Sequence, residues 1–572
     1  MLKECCEMLY DVEYLESKTG DKTIKINNML IHSKYNPQRE AEQICQKKIN
    51  INQLNIVFGI GNGFLYDALL NAEISKDKVL FIEPLEQLKK NKYSLYPIIY
   101  GHNSQEVEKE ITQRLVNFSN EINIICTPNY DKVFAEEYVE LLRLVKGIQN
   151  KNSIYKNTIT KFADLWQENI IRNMLYSYYS SNLSDLEKSL SKPVVVASGG
   201  PSLTKQILLL KKIRPAILLI ASGSTIHTLL KNEIEPDYII SIDGGMVNYE
   251  RHFKNLSLKN TELIYSITSK YEIQQTFMNR KYAFFDNEVS PKSSVLKEIG
   301  LTLPQIKGGG SVAHYALSIA RYISKGPIAL IGQDLAYTNN QTHAEGNKNM
   351  RKIDRDYIEK RGLVEVDSYY DNEKVLTDYA FLTMRDNFEE IMKDIQQPSN
   401  IYNCTEGGIK IRGMEQQSFE AFCNAIPEYE IVTQVAPSTP KHNIDIYISA
   451  MRKEKNKYKE MLILLKTAER LVESTFASKQ FPASTLKKLD SIDNAFKQLL
   501  EFTLITSIKD PIIMRIMTQY TQKNNETPNE NYARVYFQQK DLYTSFLEVI
   551  EKCNTYVDAT INEAEEMRDG IK

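Results

Sequence analysis

Apolar positions follow two different patterns along the chain, and the first is an alternation of short runs with stretches of helical period. Runs of strand length within the first 150 residues are LNIVF, VLFIE and INIIC. Helical stretches such as GFLYDALLNAEI lie between them. Strands that alternate with helices are typical of βαβ units and a parallel sheet. The pattern predicts a Rossmann-like α/β domain over residues 1–150.

A second alternation begins after a helical stretch. Residues 151–182 carry apolar side chains at helical spacing and predict connecting helices. Residues 183–435 then contain the strand candidates PVVVAS, AILLIAS, YIISID, ELIYSIT, YAFFD and PIALIG. Continuous apolar runs that end in Gly, Ser or Asp are typical of strands covered on both faces. We expect a central Rossmann-like α/β domain here.

The second pattern is purely helical and occupies the C-terminal quarter. From residue 436 to 572 the strand signal is absent and every long segment has helical period, which predicts an all-α bundle. No stretch approaches about 18 apolar residues, so no membrane span is expected. The acidic start also lacks the apolar core of a secretory signal. We therefore expect a cytoplasmic protein.

Charge and cysteine content narrow the function classes. The 572 residues hold 71 Lys and Arg against 73 Asp and Glu, a net charge of -2, without the basic excess typical of a nucleic-acid binder. Seven cysteines are scattered and form no CxxC pair. This distribution favours a reducing compartment over a disulfide framework or a zinc site.

A glycine-rich turn follows the first predicted strand. Gly59, Gly61 and Gly63 come directly after NIVF, and Glu83 ends the next strand. Such glycines let a backbone approach a ligand, and the acid could hold ribose hydroxyls. A tight turn without a ligand explains the same residues.

A stronger glycine turn opens the central domain. Gly199, Gly200, Pro201 and Ser202 follow the strand PVVVA. Two glycines expose backbone N–H groups there, Pro201 suits the first helical position, and the serine can cap the helix. Because the helix dipole favours an anion, the turn suits a phosphate. A plain strand-to-helix turn is the alternative.

Polar residues also follow the next strands and open a later helix. Ser222 ends AILLIAS, and Asp243 ends YIISID. Ligands of an open parallel sheet bind beyond the carboxyl ends of its strands, so these side chains are candidates for a nucleotide pocket. Asp243 could equally be a solvated turn residue. Gly309, Gly310 and Ser311 form a second glycine-rich helix start.

The strand IALIG leads into a polar loop with acid–base candidates. Gln333 and Asp334 follow the strand directly, and His343 lies in THAEG. A histidine titrates near neutrality and can act as a general base. It can equally be an ordinary loop residue. His314 and His227 lie on apolar helices and are interpreted as packing residues.

The segment Asp354-Arg355-Asp356 has the DxD form with which many glycosyltransferases hold a metal diphosphate. It lies in the charged run RKIDRDYIEKR, which predicts a solvated helix face. We predict neither a metal requirement nor a cofactor.

The motifs are more specific in combination. SGGPSL, ASGSTIHTLL, IEPDYIISIDGG, GGGSVAHYALSIA, IALIGQDLAYTNNQTHAEG and CTEGGIKIRG together resemble the motility accessory factor family of flagellin glycosyltransferases, over about residues 190–415. The central domain of that family is similar to the GT-A-like bacterial sialyltransferases. The resemblance implies transfer of pseudaminic or legionaminic acid from a CMP donor to Ser or Thr of flagellin before export.

The resemblance also implies residue roles. His343 would be the catalytic base, with Asp334 and Glu406 as further catalytic candidates. The implied donor-binding residues, of which the first four hold the CMP phosphate, are Gly199, Gly200, Pro201, Ser202, Ser222, Asp243, Gly309, Gly310, Ser311, Gln333 and Thr405. The implied partners are flagellin and the CMP-nonulosonic acid.

Two other functions stay open. The same central domain resembles archaeal pterin pyrophosphokinases, which transfer diphosphate from ATP with Mg²⁺, and Asp243 and Asp334 could hold that ion. The additional N-terminal and C-terminal domains argue against a small-molecule kinase. The third possibility is a flagellin-binding chaperone without enzymatic activity, against which the intact glycine turns argue.

Overall fold

The computed structural model describes residues 10–90, 93–101, 103–115, 121–286, 292–395, 400–426, 442–523 and 526–570. Its contacts group the chain into two compact units. The first takes Met1–Lys161, Ser478–Gln480 and Pro511–Leu542, and the second takes Phe162–Ala477, Phe481–Asp510 and Tyr543–Lys572. The expected boundaries at 150 and 182 stay predictions, and the one at 435 lies outside the described residues.

The N-terminal part carries two small sheets. The antiparallel sheet is formed by β1 (Val12–Glu16), β2 (Lys22–Ile26) and β3 (Met29–Leu30). The parallel sheet has the order β6-β5-β4-β7, with β4 (Leu54–Phe58), β5 (Val79–Glu83), β6 (Ile98–Tyr100) and β7 (Ile122–Cys126). The helices are α1 (Pro37–Lys48), α2 (Phe64–Asn71), α3 (Ser104–Leu115), α4 (Tyr130–Val133) and the long α5 (Ala135–Tyr178). Every residue of β4 and β5 is buried, as the continuous apolar runs predict.

In the described residues the central sheet has nine strands, all parallel. In chain order they are β8 (Ser181–Asn182), β9 (Val194–Ala197), β10 (Leu218–Ser222), β11 (Tyr238–Ser241), β12 (Glu262–Ser266), β13 (Lys281–Phe284), β14 (Ile328–Ile331), β17 (Ile401–Asn403) and β18 (Glu415–Gln416). A separate antiparallel hairpin consists of β15 (Val364–Asp367) and β16 (Lys374–Thr377). Mixed α/β architecture with parallel sheets is thereby confirmed.

Helices cover both faces of this sheet. The helices in this part of the described chain are α6 (Leu203–Ile213), α7 (Ile226–Lys231), α8 (Met246–Asn248) with the π-helical turn Tyr249–Phe253, α9 (Tyr271–Thr276), α10 (Ser294–Glu298), α11 (Val312–Ile323), α12 (Arg355–Arg361), α13 (Tyr379–Lys393) and α14 (Phe419–Asn424). Side chains of a strand alternate between its faces. Val194 and Val196 therefore belong to one core cluster, and Val195 and Ala197 to the other.

The strand order determines where a ligand can approach. The sheet reads β18-β17-β14-β9-β10-β11-β12-β13-β8. From β9 the chain adds strands on one side as far as β13, then returns to place β14 on the other side of β9. Connections after β9 and β14 leave in opposite directions, which opens a crevice at the carboxyl ends of these two strands.

The second half of α5 is tied to the carboxyl edge of the sheet, farther along from that crevice. The Asn169 side chain donates to the carbonyls of Gly244 and Thr268, at 3.1 and 3.0 Å. The Asn173 side chain donates to Ile267 and Ser269 at 2.8 and 2.7 Å. Both asparagines are fully buried, so the turns after β11 and β12 are held by helix α5.

The C-terminal region is helical, as predicted. It contains α15 (Ile444–Ser474), α16 (Ala483–Glu501), α17 (Lys509–Gln519) and α18 (Pro528–Arg568). Large aromatic side chains such as Tyr447 and Tyr458 on α15 are fully buried, and the ring of Tyr447 stacks on that of Tyr178 at the end of α5. Among the described helices, none combines the length and the apolar character needed to cross a membrane.

Candidate active site

Three chain segments meet in the crevice between β9 and β14. The Gly200 N–H donates to the carbonyl of Gly332 at 2.9 Å, which joins the turn after β9 to the end of β14. The Gly199 carbonyl accepts from Ala344 N–H at 3.0 Å, which adds the loop that contains His343. All three segments contain candidate residues predicted from the sequence, and the strand order brings them together.

The two glycines of this turn serve different purposes. A Cβ at Gly200 would lie 2.2 Å from Asp334 Oδ2 and 2.5 Å from the Gly332 carbonyl oxygen, so no side chain fits. A Cβ at Gly199 would lie 3.0 Å from Asn347 Nδ2. Because Gly200 N–H is already bonded, the expected pair of exposed amides reduces to one. Within the described chain, the Gly199 N–H has no acceptor and can bind an anion.

Asp334 holds the start of α6 against β14. Its carboxylate accepts from Ser202 N–H at 3.2 and 3.3 Å, from Ser202 Oγ at 2.7 Å and from Thr338 Oγ1 at 2.6 Å. The side chain is fully buried, and burial raises the pKa of Asp334 although the hydrogen bonds oppose the shift. With both oxygens occupied, the carboxylate is placed to organise the floor of the crevice. Its catalytic role stays a prediction.

Ser202 and Pro201 differ in detail from their expected positions. Helix α6 begins at Leu203, so Pro201 lies two residues before the first helical position. Ser202 occupies the position before the helix, but its hydroxyl donates to Asp334 and forms no cap. Both side chains are buried. Gly199 and Gly200, which are partly exposed, are therefore the accessible part of this turn.

Gln333 and Thr405 join the ends of three neighbouring strands. Ser198 Oγ donates to Gln333 Oε1 at 2.6 Å, and Gln333 N–H donates to Thr405 Oγ1 at 3.2 Å. All three residues are buried at the carboxyl ends of β9, β14 and β17. The structure thus brings together two predicted donor-binding residues and a serine that sequence analysis left without a role.

Glu406 is engaged with another helix. Its Oε2 accepts from Phe419 N–H at 3.0 Å, at the first turn of α14. Its backbone adopts a φ of 54°, and its carbonyl accepts from Lys205 Nζ and from Tyr370 OH. A carboxylate in this position stabilises the helix start. A role of Glu406 as a base requires the side chain to leave that contact.

His343 lies beside the free amide of the glycine turn. Its Cδ2 is 3.8 Å from the position that a Cβ on Gly199 would take. The ring is partly buried, and its Nδ1 is buried without a hydrogen-bond partner in the described residues. Burial lowers the pKa of His343, and a hydrogen bond to the Asn349 backbone opposes the shift. The imidazole is therefore neutral at neutral pH and able to accept a proton.

The neighbouring strands contribute Ser222 and Asp243. The Ser222 hydroxyl is buried, 2.8 Å from Thr225 Oγ1 and 3.1 Å from Ser224 Oγ. Asp243 is exposed two strands away from β9, and its Oδ1 accepts from Gly245 N–H at 2.8 Å. Ser222 thus lies next to the crevice, whereas Asp243 is part of a solvated turn.

Gly309, Gly310 and Ser311 belong to a closed helix start. Ser311 N–H and Oγ lie 3.1 and 2.8 Å from His314 Nδ1, and His314 Nε2 lies 2.8 Å from the Met384 carbonyl. Burial lowers the pKa of His314 to about 4. In the described chain, none of these hydrogen bonds reaches the crevice. His314 is a packed residue, as predicted.

The N-terminal glycine turn is occupied by side chains of its own unit. The buried Glu83 carboxylate accepts from Ile60 and Gly61 N–H at 2.8 and 3.2 Å, and from Tyr130 OH at 2.7 Å. His32 Nε2 accepts from Asn62 N–H at 3.0 Å. Because a carboxylate of the protein already binds the amides of the turn, its glycines are explained by close packing without a ligand.

The DxD segment lies at the start of α12. Asp354 Oδ1 accepts from Tyr357 N–H at 2.8 Å as a helix cap, and Asp356 pairs with Lys360 at 2.7 Å on the exposed face. The described part of the chain holds no group of three or more His, Cys, Asp or Glu side chains suited to a metal ion.

Three cations near the crevice were not predicted from the sequence. Lys231 on α7, Arg251 on the π-helical turn and Lys348 in the His343 loop are exposed and lie on separate elements. We refer to them as the cationic cluster. Their spacing along the sequence carries no motif, and only Lys348 is close in sequence to a residue that was selected.

Two comparisons with known proteins bear on this site. Residues 168–340 match a family model described as 6-hydroxymethylpterin diphosphokinase MptE-like. The structure of the Maf glycosyltransferase from Magnetospirillum magneticum AMB-1 is similar at a TM-score of 0.54 and 13% sequence identity, over 98% of this chain and 93% of that chain. No curated protein matches the sequence.

At 13% identity the likeness to the Maf glycosyltransferase shows a shared fold over nearly the whole chain. The matched family model covers the central sheet from the end of α5 to just beyond β14, which includes the glycine turn and Asp334. Neither comparison concerns sialyltransferases, so that part of the resemblance stays a prediction.

Proposed function

We propose that this protein is a glycosyltransferase of the motility accessory factor type. It would move a nonulosonic acid, pseudaminic or legionaminic acid, from its CMP donor to Ser or Thr of flagellin before export. The observation that carries the proposal is the meeting of a free glycine amide and a neutral imidazole, Gly199 and His343, in the crevice at the strand-order reversal. The fold shared with a Maf glycosyltransferase supports the reaction class.

The donor side of the reaction depends on binding a phosphate. The Gly199 N–H is available to donate a hydrogen bond to an anion, and the nearby exposed cations make the surroundings of this amide more positive. Fixed donors of this kind stabilise negative charge that develops on a leaving group. As the bond between the anomeric carbon and the phosphate oxygen breaks, its electron pair leaves with CMP. The sugar passes through an oxocarbenium-like transition state.

The acceptor side depends on a base. A Ser or Thr hydroxyl is a weak nucleophile at neutral pH and needs a neighbouring group to take its proton. In our proposal His343 accepts this proton while the hydroxyl oxygen forms the new bond to the anomeric carbon. The lowered pKa of His343 suits the role because it keeps the imidazole unprotonated before the reaction.

The family-model match favours a second candidate, transfer of diphosphate from ATP in the manner of a pterin diphosphokinase. That chemistry uses Mg²⁺ held by carboxylates. The two candidate carboxylates are differently placed, since Asp334 is enclosed by hydroxyls and an amide while Asp243 lies two strands from β9. This separation favours the glycosyltransferase over the kinase.

Ligand-dependent thermal stability distinguishes the candidates. CMP and CMP-sugars should stabilise the protein, by about 2.7 kcal/mol at a hundredfold excess over Kd, and ATP with Mg²⁺ should do much less. Flagellin co-expressed with this protein and a CMP-nonulosonic acid pathway should gain the mass of the sugar. Stabilisation by ATP with Mg²⁺ alone would favour the kinase. Flagellin binding without any mass gain would favour the chaperone.

A further inference from the structure

Positive charge collects around the glycine turn without acidic partners. Lys348 Nζ donates to the Arg251 carbonyl at 2.9 Å, and Arg251 Nη1 donates to Asn349 Oδ1 at 3.3 Å. Lys231 Nζ lies 3.9 Å from the position that a Cβ on Gly346 would take, and Gly346 is in the same loop as Lys348. Two of the cations are thus held by neutral oxygen atoms, which fix the side chains and leave their charges uncompensated.

Carboxylates near in sequence do not neutralise this cluster. Glu250 and Glu345 lie near Arg251 and Lys348 in sequence, but within the described residues the ion pairs of this part of the chain join other lysines and arginines and none includes Lys231, Arg251 or Lys348. Exposed lysines and arginines of this protein are otherwise often paired, as in Lys211 with Glu233 at 2.6 Å. A set of cations on three elements that all lack an acid is a typical surface for an anionic ligand.

The cluster adjoins the turn that contains the free amide. Asn347, one residue before Lys348, lies against Gly199 and donates to the Ser224 carbonyl at 3.0 Å. Hydrogen-bonding capacity also remains, because a lysine has three donors and an arginine five, of which one each is used here. The ligand that reaches Gly199 therefore lies next to several unused cationic donors.

The buried His252 lies close to the same positive charges. His252 follows Arg251 on the π-helical turn, is 8% exposed, and its Nδ1 is buried without a partner in the described chain. Burial lowers the pKa of His252 to about 4, and neighbouring positive groups, among them Lys348 and Arg251, act in the same direction.

We propose that Lys231, Arg251 and Lys348 form a second anion subsite, which takes a negatively charged group of the donor other than the phosphate at Gly199. This inference rests on the proposed function. Two kinds of cytidine nucleotide carry such a second anion. In one it is the carboxylate of an acidic sugar, and in the other it is a second phosphate. The subsite would make the enzyme select acidic donors over donors with a neutral sugar.

The test is the affinity for three cytidine nucleotides, measured by isothermal titration calorimetry. CMP, CMP-N-acetylneuraminic acid and CDP are compared with wild type, Lys348→Met and Arg251→Met. Lys259→Met, an exposed lysine elsewhere in the same sheet region, is the matched control. Each cation variant should reduce the affinity for the nucleotide that carries the second anion about tenfold and change that for CMP less than about threefold.

The identity of the weakened nucleotide decides the source of the anion. Selective loss for CMP-N-acetylneuraminic acid assigns a sugar carboxylate, and selective loss for CDP assigns a second phosphate. Equal losses for all three nucleotides, or unchanged affinities, overturn the subsite. Lys231→Met provides an independent variant on α7 if either of the others fails to fold.

A different result is expected if the proposed function itself is wrong. If wild type binds none of the cytidine nucleotides, the CMP donor is wrong, and inorganic pyrophosphate then reports on the subsite. Pyrophosphate binding that weakens about tenfold in Lys348→Met and not in Lys259→Met keeps the anion subsite without a CMP donor. Absence of pyrophosphate binding to wild type overturns both.

Discussion

The Asp334 carboxylate accepts hydrogen bonds from both the backbone N–H and the hydroxyl of Ser202, at 3.2 and 2.7 Å to the same oxygen. The contact spans 132 residues of sequence and joins the end of β14 to the start of α6. It holds the glycine turn so close to Asp334 that a side chain at position 200 would not fit. The shape of the crevice therefore depends on a side chain that faces away from solvent.

Replacing Asp334 should weaken this connection. In Asp334→Asn one oxygen becomes an amide nitrogen, so the hydroxyl of Ser202 or of Thr338 loses its acceptor in a buried position. We expect the free energy of unfolding to fall by about 1–3 kcal/mol. Urea unfolding followed by the fluorescence of Trp166, the single tryptophan, measures it in the second unit.

Ser202→Ala is the control for this substitution. It removes one hydroxyl and should cost about 0.5–1.5 kcal/mol. The two substitutions affect the same hydrogen bond. The loss in free energy of unfolding of the double variant should therefore be smaller than the sum of the losses of the two single variants. Wild-type stability of Asp334→Asn would contradict the importance of this contact.

Alanine at the two turn glycines should have different effects. Gly200→Ala places a methyl group against a carboxylate and a backbone carbonyl, and should destabilise the protein by about 1–3 kcal/mol. Gly199→Ala meets mainly the Asn347 amide, which is the end of a side chain and can move. It should be the milder change in urea unfolding and still weaken CMP binding in calorimetry. The reverse ranking of stabilities would show that the turn is arranged differently.

His343→Ala tests the base. Transfer to flagellin should fall about 10²–10⁴-fold while CMP affinity persists, because a base acts on the acceptor hydroxyl. Since the pKa of His343 is lowered, wild-type activity should extend below pH 6.5 before protonation reduces it. His442→Ala, whose ring packs on Tyr178, is the control histidine and should retain transfer. Loss of CMP binding in His343→Ala would instead identify a donor ligand.

Glu454 on α15 should make stability depend on pH. It is fully buried, its Oε1 accepts from Leu504 N–H at 2.6 Å, and burial raises the pKa of the carboxyl to about 7. The unfolded chain loses this proton near pH 4.5 and the folded chain only near pH 7, so unfolding becomes easier as pH rises between the two.

We expect this carboxyl to contribute a decline of about 1–3 kcal/mol in the free energy of unfolding from pH 4.5 to pH 8. Glu454→Gln keeps an acceptor for Leu504 and should remove that part of the decline in urea titrations at several pH values. The exposed Glu460→Gln on the same helix should leave the pH profile unchanged. An unaltered profile in Glu454→Gln would mean that the carboxyl titrates normally.

The position of the site was partly predictable. Turn residues after a parallel strand must lie at the carboxyl edge, so the sequence predicted that Gly199, Ser222 and Asp243 share one rim. Gly199 and Ser222 lie at the crevice, whereas Asp243 follows β11, two strands away from β9. The cationic cluster was not predictable in this way. Its members come from α7, the π-helical turn and the His343 loop, and nothing in their local sequence distinguishes them from solvated lysines and arginines.

Local pattern predicted strands β4, β5, β7 and β9–β14, the long helices and the parallel character of the two larger sheets, because burial on one or both faces imposes a period on neighbouring residues. The antiparallel sheet β1–β3 and the hairpin β15–β16 became known only from the folded chain. Which strands become neighbours depends on contacts between distant segments, and that information has no local period. The pairing of β14 with β9 therefore emerged only from the folded chain, and with it the bond from Ser202 to Asp334. The same holds for the N-terminal turn, where the sequence left a bound ligand and a tight turn as alternatives, and the fold places the Glu83 carboxylate on the amides of Ile60 and Gly61.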